Sequence, residues 1–262
     1  ARREAWAWAM FDFANSGYTT VVITAIFNAY FVAVVAGEAP WATFAWTATL
    51  AVSYALIMLT APLVGAYADA NAAKKRLLAV TTVGCVLATA ALSLAGPGDL
   101  ALAVVLLVLS NFFFGSGENL IAAFLPEIAA DDSLGKVSGW GWSLGYLGGL
   151  VSLGACLAWV SHAQAQGLGA AQFVPGVMLI TAALFALASL PTFIWLRERS
   201  RPAPATPATA STRVAKSTAA TAGTGTGTGT GKPPRGAFAR VAQTLRAAGA
   251  YPDMRRFMLC VV

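Results

Sequence analysis

The chain has 262 residues, of which 58% are hydrophobic and only 11% charged, and it carries a net charge of +6. An ordinary soluble domain has about 25% charged residues, so this composition excludes a water-soluble fold. Cys85, Cys156 and Cys260 each stand alone in an apolar run, with no CxxC pair and no histidine at ligand spacing, so they read as buried thiols rather than a metal or disulfide framework.

The apolar residues gather in blocks of about 20 or more, the length that crosses a bilayer core. Six such blocks are expected, roughly at 9–36, 42–66, 77–96, 100–125, 139–160 and 175–196. Lipid offers backbone amides no partner, so each block is predicted to be a helix. Barrel strands would alternate in polarity over about ten residues, and none of the blocks does so. The first block is too long for a signal peptide and carries Asp12 and Asn15, so it reads as a retained span.

Along the first helix, Asp12 and Asn15 stand three apart on one face, and Ser16, Thr20, Thr24 and Asn28 follow at four-residue steps. This row winds slowly around the helix, so Asn15, Thr20, Thr24 and Asn28 are candidates to line a solute pathway. Asp12, nearer the edge, is expected in a cytoplasmic gate with Asp69 and the basic loop. The second helix carries Pro62 and ends in GAYADANAAKKR at 65–76. There Gly65 admits a close helix approach, Asp69 can accept from helix amides or pair with a cation, and Lys75 or Arg76 anchors to headgroups.

The fourth helix holds Glu118 with Asn119 beside it, and Asn111 shares the face of Glu118 two turns earlier with Gly115 between them. The two polar groups stand about 10 Å apart at 1.5 Å per residue, giving the helix a polar seam. An acid inside a membrane span is costly and tends to face a cavity or a partner. Glu118 is therefore a candidate for a solute amine or a coupling proton, or else a structural acid held by hydrogen bonds. In the fifth helix Gly141, Gly145 and Gly149 repeat every four residues, with Gly148 beside them, a flat strip for a neighbouring helix. Trp140, Trp142 and Tyr146 serve equally as stacking surfaces for a solute or as interface anchors. Pro191 lies late in the sixth helix, and His162 falls in the connection before it with no assigned role.

Lys and Arg kept on the cytoplasmic side set orientation. Arg2 and Arg3 precede the first helix, Lys74, Lys75 and Arg76 lie between the second and third, Lys136 lies between the fourth and fifth, and the other eleven follow the sixth. The alternate connections carry none, which predicts a cytoplasmic amino terminus and central loop. The eight tryptophans fall near predicted helix ends, where amphipathic rings favour the headgroup layer. This distribution offers no basic surface interleaved with stacking aromatics, so no nucleic-acid partner is expected. Residues 197–252 read as a cytoplasmic loop whose TGTGTGTG run is a flexible tether. Phe238, Val241 and Leu245 repeat there at the spacing of a short surface helix.

The 65–76 segment resembles the loop between the second and third helices of the major facilitator superfamily, with Ala70 and Ala72 where that motif has a basic residue and a second glycine. WAMFDFANSGYTTVVITAIFNAYF (8–31), NLIAAFLPEIA (119–129) and SGWGWSLGYLGGL (138–150) resemble the vacuole-effluxer-like branch, and DMRRFMLCVV (253–262) is similar to the start of that family's seventh helix. The resemblance implies twelve helices in two bundles, a solute site between them and alternating access. It makes 1–196 the amino-terminal six-helix half and 253–262 a truncated seventh helix, with the other six-helix half and the lipid bilayer as partners.

The expected fold is thus an all-α integral membrane bundle. The expected function is secondary active transport of small polar solutes, amino acids being the class the resemblance suggests, with no cofactor beyond a coupling proton. A bacterial cell membrane is the expected location and a vacuolar membrane the alternative. The competing reading is a membrane-embedded receptor or scaffold, or an intramembrane enzyme. The last would need clustered His, paired Asp or a Ser and Lys at helical spacing, which the spans do not contain.

Overall fold

The computed structural model describes residues 2–129 and 133–199. The tether, the short surface helix and the start of a seventh helix lie outside the described residues. The chain divides into two compact units, Ala1–Ala61 with Ala73–Arg199, and Pro62–Ala72 with Ser200–Val262.

Six helices are long and apolar enough to cross a membrane: α1 Arg3–Val35, α2 Ala42–Asn71, α3 Lys74–Leu94, α4 Leu100–Ile128, α5 Leu134–Ala165 and α6 Ala170–Trp195. No strand occurs among the described residues. The fold is therefore the all-helical membrane bundle expected from the apolar blocks, consistent with half of a major-facilitator fold. The helices outrun those blocks at their ends. Hydropathy marks the oily middle of a span, whereas the backbone ladder continues into residues that meet headgroups and water. Lys74, Lys75, Arg76, Lys136 and His162 consequently belong to helices, not to the connections predicted for them.

Three of the spans depart from simple α winding, α3 only in a 3-10 turn at Leu92–Leu94. In α1 the α-helix over Arg2–Tyr18 gives way to π-helix at Thr19–Ala25, returns to α at Ile26–Tyr30 and opens again at Phe31–Val35. Residues 19–24 are six consecutive β-branched side chains, which crowd the preceding turn of an α-helix. A wider winding relieves that crowding and is a feature often found beside functional sites. In α4 the main helix ends at Ala122, and a short turn Leu125–Ile128 follows, with Pro126 at its start where a missing amide does no harm.

In the first unit α1 runs through the core. Phe11, Tyr18, Val21, Val22, Phe27 and Phe31 are all at most 1% exposed. Several of its polar groups are partnered from elsewhere in the bundle. Thr192 of α6 donates to the Ala7 carbonyl at 2.7 Å, Trp8 Nε1 donates to Ile121 O of α4 at 2.9 Å, and Tyr30 donates to Ala95 O beyond α3 at 3.0 Å. Midway, Tyr18 stacks on Phe114 with ring centroids 4.7 Å apart and shares a 2.7 Å hydrogen bond with Ser110.

Replacing Tyr18 by Phe keeps the stacking and removes that bond. We expect a loss of about 1 kcal/mol, read from unfolding of the purified full-length protein in mixed micelles. No loss would show the hydroxyl to be energetically idle.

The second unit contributes Pro62–Ala72 to the described residues, including the last turns of α2. Gly65 and Asp69 lie there, and Asn71 Nδ2 donates to Tyr67 O at 2.9 Å.

Candidate functional site

The α5 glycines set the geometry from which the site follows. Added side-chain carbons at Gly141, Gly145 and Gly149 would meet the Trp8 ring, the Asp12 and Ser16 side chains, and Thr20 Oγ1, all on α1. At Gly148 the α1 backbone itself is in the way, with Phe13 Cα 2.7 Å from an added carbon. With no side chains between them, α1 and α5 approach closely. The polar row of α1 is brought beside α5, and Glu118 of α4 meets it.

Two chambers result. One, of about 330 Å³, is lined by Asp12, Asn15, Ser16, Thr19 and Thr20 of α1, Glu118 of α4, and Gly145, Tyr146, Gly149, Leu150 and Leu153 of α5. The other, of about 230 Å³, adds Trp8, Ile121, Ala122, Leu125, Ser138 and Trp142 toward the amino-terminal end of α1. Asp12, Asn15 and Glu118 line both. Along α1, Trp8 and Thr20 are twelve residues apart, about 18 Å at 1.5 Å per residue, so the lined path covers about half the bilayer core.

At this waist every polar side chain is rich in acceptors. Asn15 is 5% exposed and its Oδ1 has no hydrogen-bond partner. Among the described residues neither Asp12 nor Glu118 forms an ion pair, the pairs there being Lys74–Glu127 and Arg199–Glu4. Among the described residues no Lys or Arg lines either chamber. Lys136 instead lines a separate groove with Trp6, Ala9 and Trp140.

The structure separates the residues expected along the pathway. Asn15, Thr20, Glu118 and Tyr146 line a chamber, whereas Thr24, Asn28, Asn111 and Asn119 line neither. Thr24 lies in the π-helical stretch, whose wider winding breaks the four-residue row, and it is exposed on another face. Asn111 is fully buried, its Nδ2 donating to Ser53 Oγ of α2 at 2.6 Å. The polar seam of α4 therefore splits into a packed upper part and an open lower part. Asp12 stands with Glu118 at the waist. Ser16 and Thr19 were outside the expected set; their sequence signal was the polar i, i+3, i+4 pattern on either side of Asn15.

The charged end of the bundle holds a second constellation. The carboxylate of Glu198, just beyond α6, accepts the amides of Lys74 at 2.8 Å and Lys75 at 3.1 Å, satisfying the otherwise orphaned start of α3. Lys75 Nζ returns a bond to Leu196 O at 2.6 Å, near the end of α6. Lys74 Nζ pairs with Glu127 of α4 at 2.8 Å, and Arg199 reaches Glu4 of α1 at 2.6 Å and Glu127 O at 2.8 Å. Arg76 is exposed at the first turn of α3. Glu4, Glu127 and Glu198 were not anticipated, because counting cations for orientation ignores the acids that pair with them.

No group of three or more His, Cys, Asp or Glu side chains suited to a metal ion occurs among the described residues.

The sequence matches over 198 residues, at 26% identity, an uncharacterized MFS-type transporter, YxiO, of Bacillus subtilis (strain 168), covering 74% of this chain and 46% of that protein. The chain thus spans about half the length of the curated relative it matches. No solved structure matches. Proteins described as MFS-type transporters are not enzymes. The family profile described as vacuole effluxer Atg22 like matches residues 1–260, and the chain belongs to that family of the major facilitator type.

Proposed function

We propose that the protein is a secondary active transporter that carries small polar solutes through the path lined by α1, α4 and α5, by alternating access. The observation that carries this reading is the sharing of Asp12, Asn15 and Glu118 between two chambers that follow one another along α1. A solute held at that waist is reached from one chamber or the other according to which is open. A second six-helix half closes the open side of the chambers, with which this bundle rocks as one body. The amino terminus and the central loop are cytoplasmic by the distribution of Lys and Arg. Amino acids, the class suggested by the sequence resemblance, are the first solutes to try.

The ties at the charged end suit such motion. They bind α1, α3, α4 and the end of α6 to one another, which lets the bundle move without its helices splaying. Lys75 and Arg76, with Gly65 and Asp69, are proposed gate elements on the cytoplasmic side.

A cysteine placed at Ser16 tests the reading. Ser16 lines the larger chamber, while Cys85 and Cys156 are buried and inert to polar reagents; Cys260 is replaced by Ser. In full-length protein the introduced thiol is expected to react with impermeant reagents, at a rate changed several-fold by the transported solute. A panel of labelled amino acids and other small polar solutes in proteoliposomes identifies that solute. A thiol reactive from one side only, at a rate no solute alters, would count against alternating access here.

A further inference from the structure

Resting on that transport reading, we infer that the waist formed by Asp12, Asn15 and Glu118 is a recognition site for the protonated amine of a small organic solute. Three features of the waist converge on a cation. The two carboxylates accept hydrogen bonds and donate none when ionised, and among the described residues neither has an ionic partner. No Lys or Arg among the described residues lines the chambers. Asn15, 5% exposed, lines both chambers, and its own Oδ1, enclosed within the bundle, has no partner. A buried carbonyl without a donor is a costly feature in a folded protein, and it is relieved when a ligand brings an N–H.

An ammonium group fits this set better than a neutral donor does. Charges inside a membrane protein are expensive unless paired, and here the ligand supplies the missing opposite charge. Two of its N–H donors match the Asp12 and Glu118 carboxylates, and the third is met by Asn15 Oδ1 once that amide turns from its enclosed position toward the chambers. Trp142 on one side of the waist and Tyr146 on the other offer aromatic faces for the carbons next to the nitrogen. Leu150 and Leu153 line the larger chamber opposite the polar row, where an apolar side group of the solute can lie. A sodium ion would also satisfy oxygen ligands, but it would make no use of the aromatic and leucine walls.

The test uses the purified full-length transporter and three probes: n-butylammonium chloride, n-butanol and sodium chloride, the first and last against matched potassium chloride. Thermal stabilisation reports binding. We expect n-butylammonium to raise the melting temperature at concentrations at least tenfold below those at which n-butanol acts, with sodium no different from potassium. Asp12→Asn, Glu118→Gln and Asn15→Leu are each expected to weaken the n-butylammonium response at least tenfold. Equal responses to the amine and the alcohol overturn the assignment, as does a sodium response matching that of the amine. If a variant fails to fold, the comparison of probes on the wild-type protein still decides.

A parallel uptake assay in proteoliposomes separates this inference from the transport reading. Amine binding without uptake of any solute leaves the site and removes transport. Uptake confined to solutes lacking an amine, at a rate unchanged in Glu118→Gln, leaves transport and removes the amine site.

Discussion

Gly148→Ala is expected to destabilise the bundle by about 3 kcal/mol, toward the upper end of what overpacking costs, and to lower the yield of folded protein sharply. The added carbon would stand 2.7 Å from Phe13 Cα and 2.8 Å from its carbonyl carbon, and closer still to the carbonyl oxygen. Backbone cannot swing aside as a flexible side chain can, so α1 and α5 must separate. Separation enlarges the gap along the whole seam, including the places where Gly145 abuts Asp12 and Gly149 abuts Thr20. Gly154→Ala on the same helix is the control. Nothing lies within 4 Å of its added carbon, and alanine is a better helix former by about 1 kcal/mol, so this variant should be neutral or slightly stabilised. Equal stability of the two variants in a micellar unfolding series would mean that the seam is looser than the geometry indicates.

Glu127→Ala should carry the second large effect, about 2 kcal/mol, because one side chain ties the start of α3 to the segment just beyond α6. It receives Lys74 Nζ at 2.8 Å, with the two side chains 11% and 15% exposed, and the Arg199 amide at 3.1 Å. Removing it takes from the partly buried Lys74 the carboxylate 2.8 Å away. The figure lies between the fraction of a kcal/mol typical of exposed pairs and the 3–5 of fully buried ones. Raising the ionic strength should shrink the difference from wild type, since part of the network is open to water. Arg76→Ala, at an exposed position on the same turn of α3, should change stability by less than about 0.5 kcal/mol. A Glu127 variant as stable as the Arg76 variant at low salt would show the ties to be ornamental.

The six spans were legible because the signal for crossing lipid is blunt: a run of apolar residues long enough to reach across leaves the backbone one way to satisfy itself. The boundaries were less so. Lys74 opens α3 with its amide held by Glu198, a residue 124 positions away that no local pattern could point to. Within the site, the glycine strip and the acidic character of Asp12 and Glu118 were visible, but their meeting was not. It depends on how near α5 lies to α1, and hydropathy carries no information about which helices are neighbours. Asp12 was expected to look toward the basic loop on the strength of its depth alone, whereas it lines both chambers with Glu118. Thr24 and Asn28 were extrapolated along an ideal α winding that α1 abandons at Thr19. Six β-branched residues in a row hinted at trouble there, but propensity does not say in which direction a helix will yield.

That yielding has a consequence for how the first helix uses membrane depth. At 1.5 Å per residue, a pure α-helix as long as α1 would climb about 50 Å, against a hydrocarbon layer of about 30 Å. Where amides bond five residues back, at Thr19–Ala25 and again at Phe31–Val35, more residues share each coil and the chain rises less with every one. The larger chamber borders the first of these stretches through Thr19 and Thr20. At that level α1 therefore displays more side chains per ångström of altitude than a regular helix would, a denser inscription of chemistry on the same height of wall.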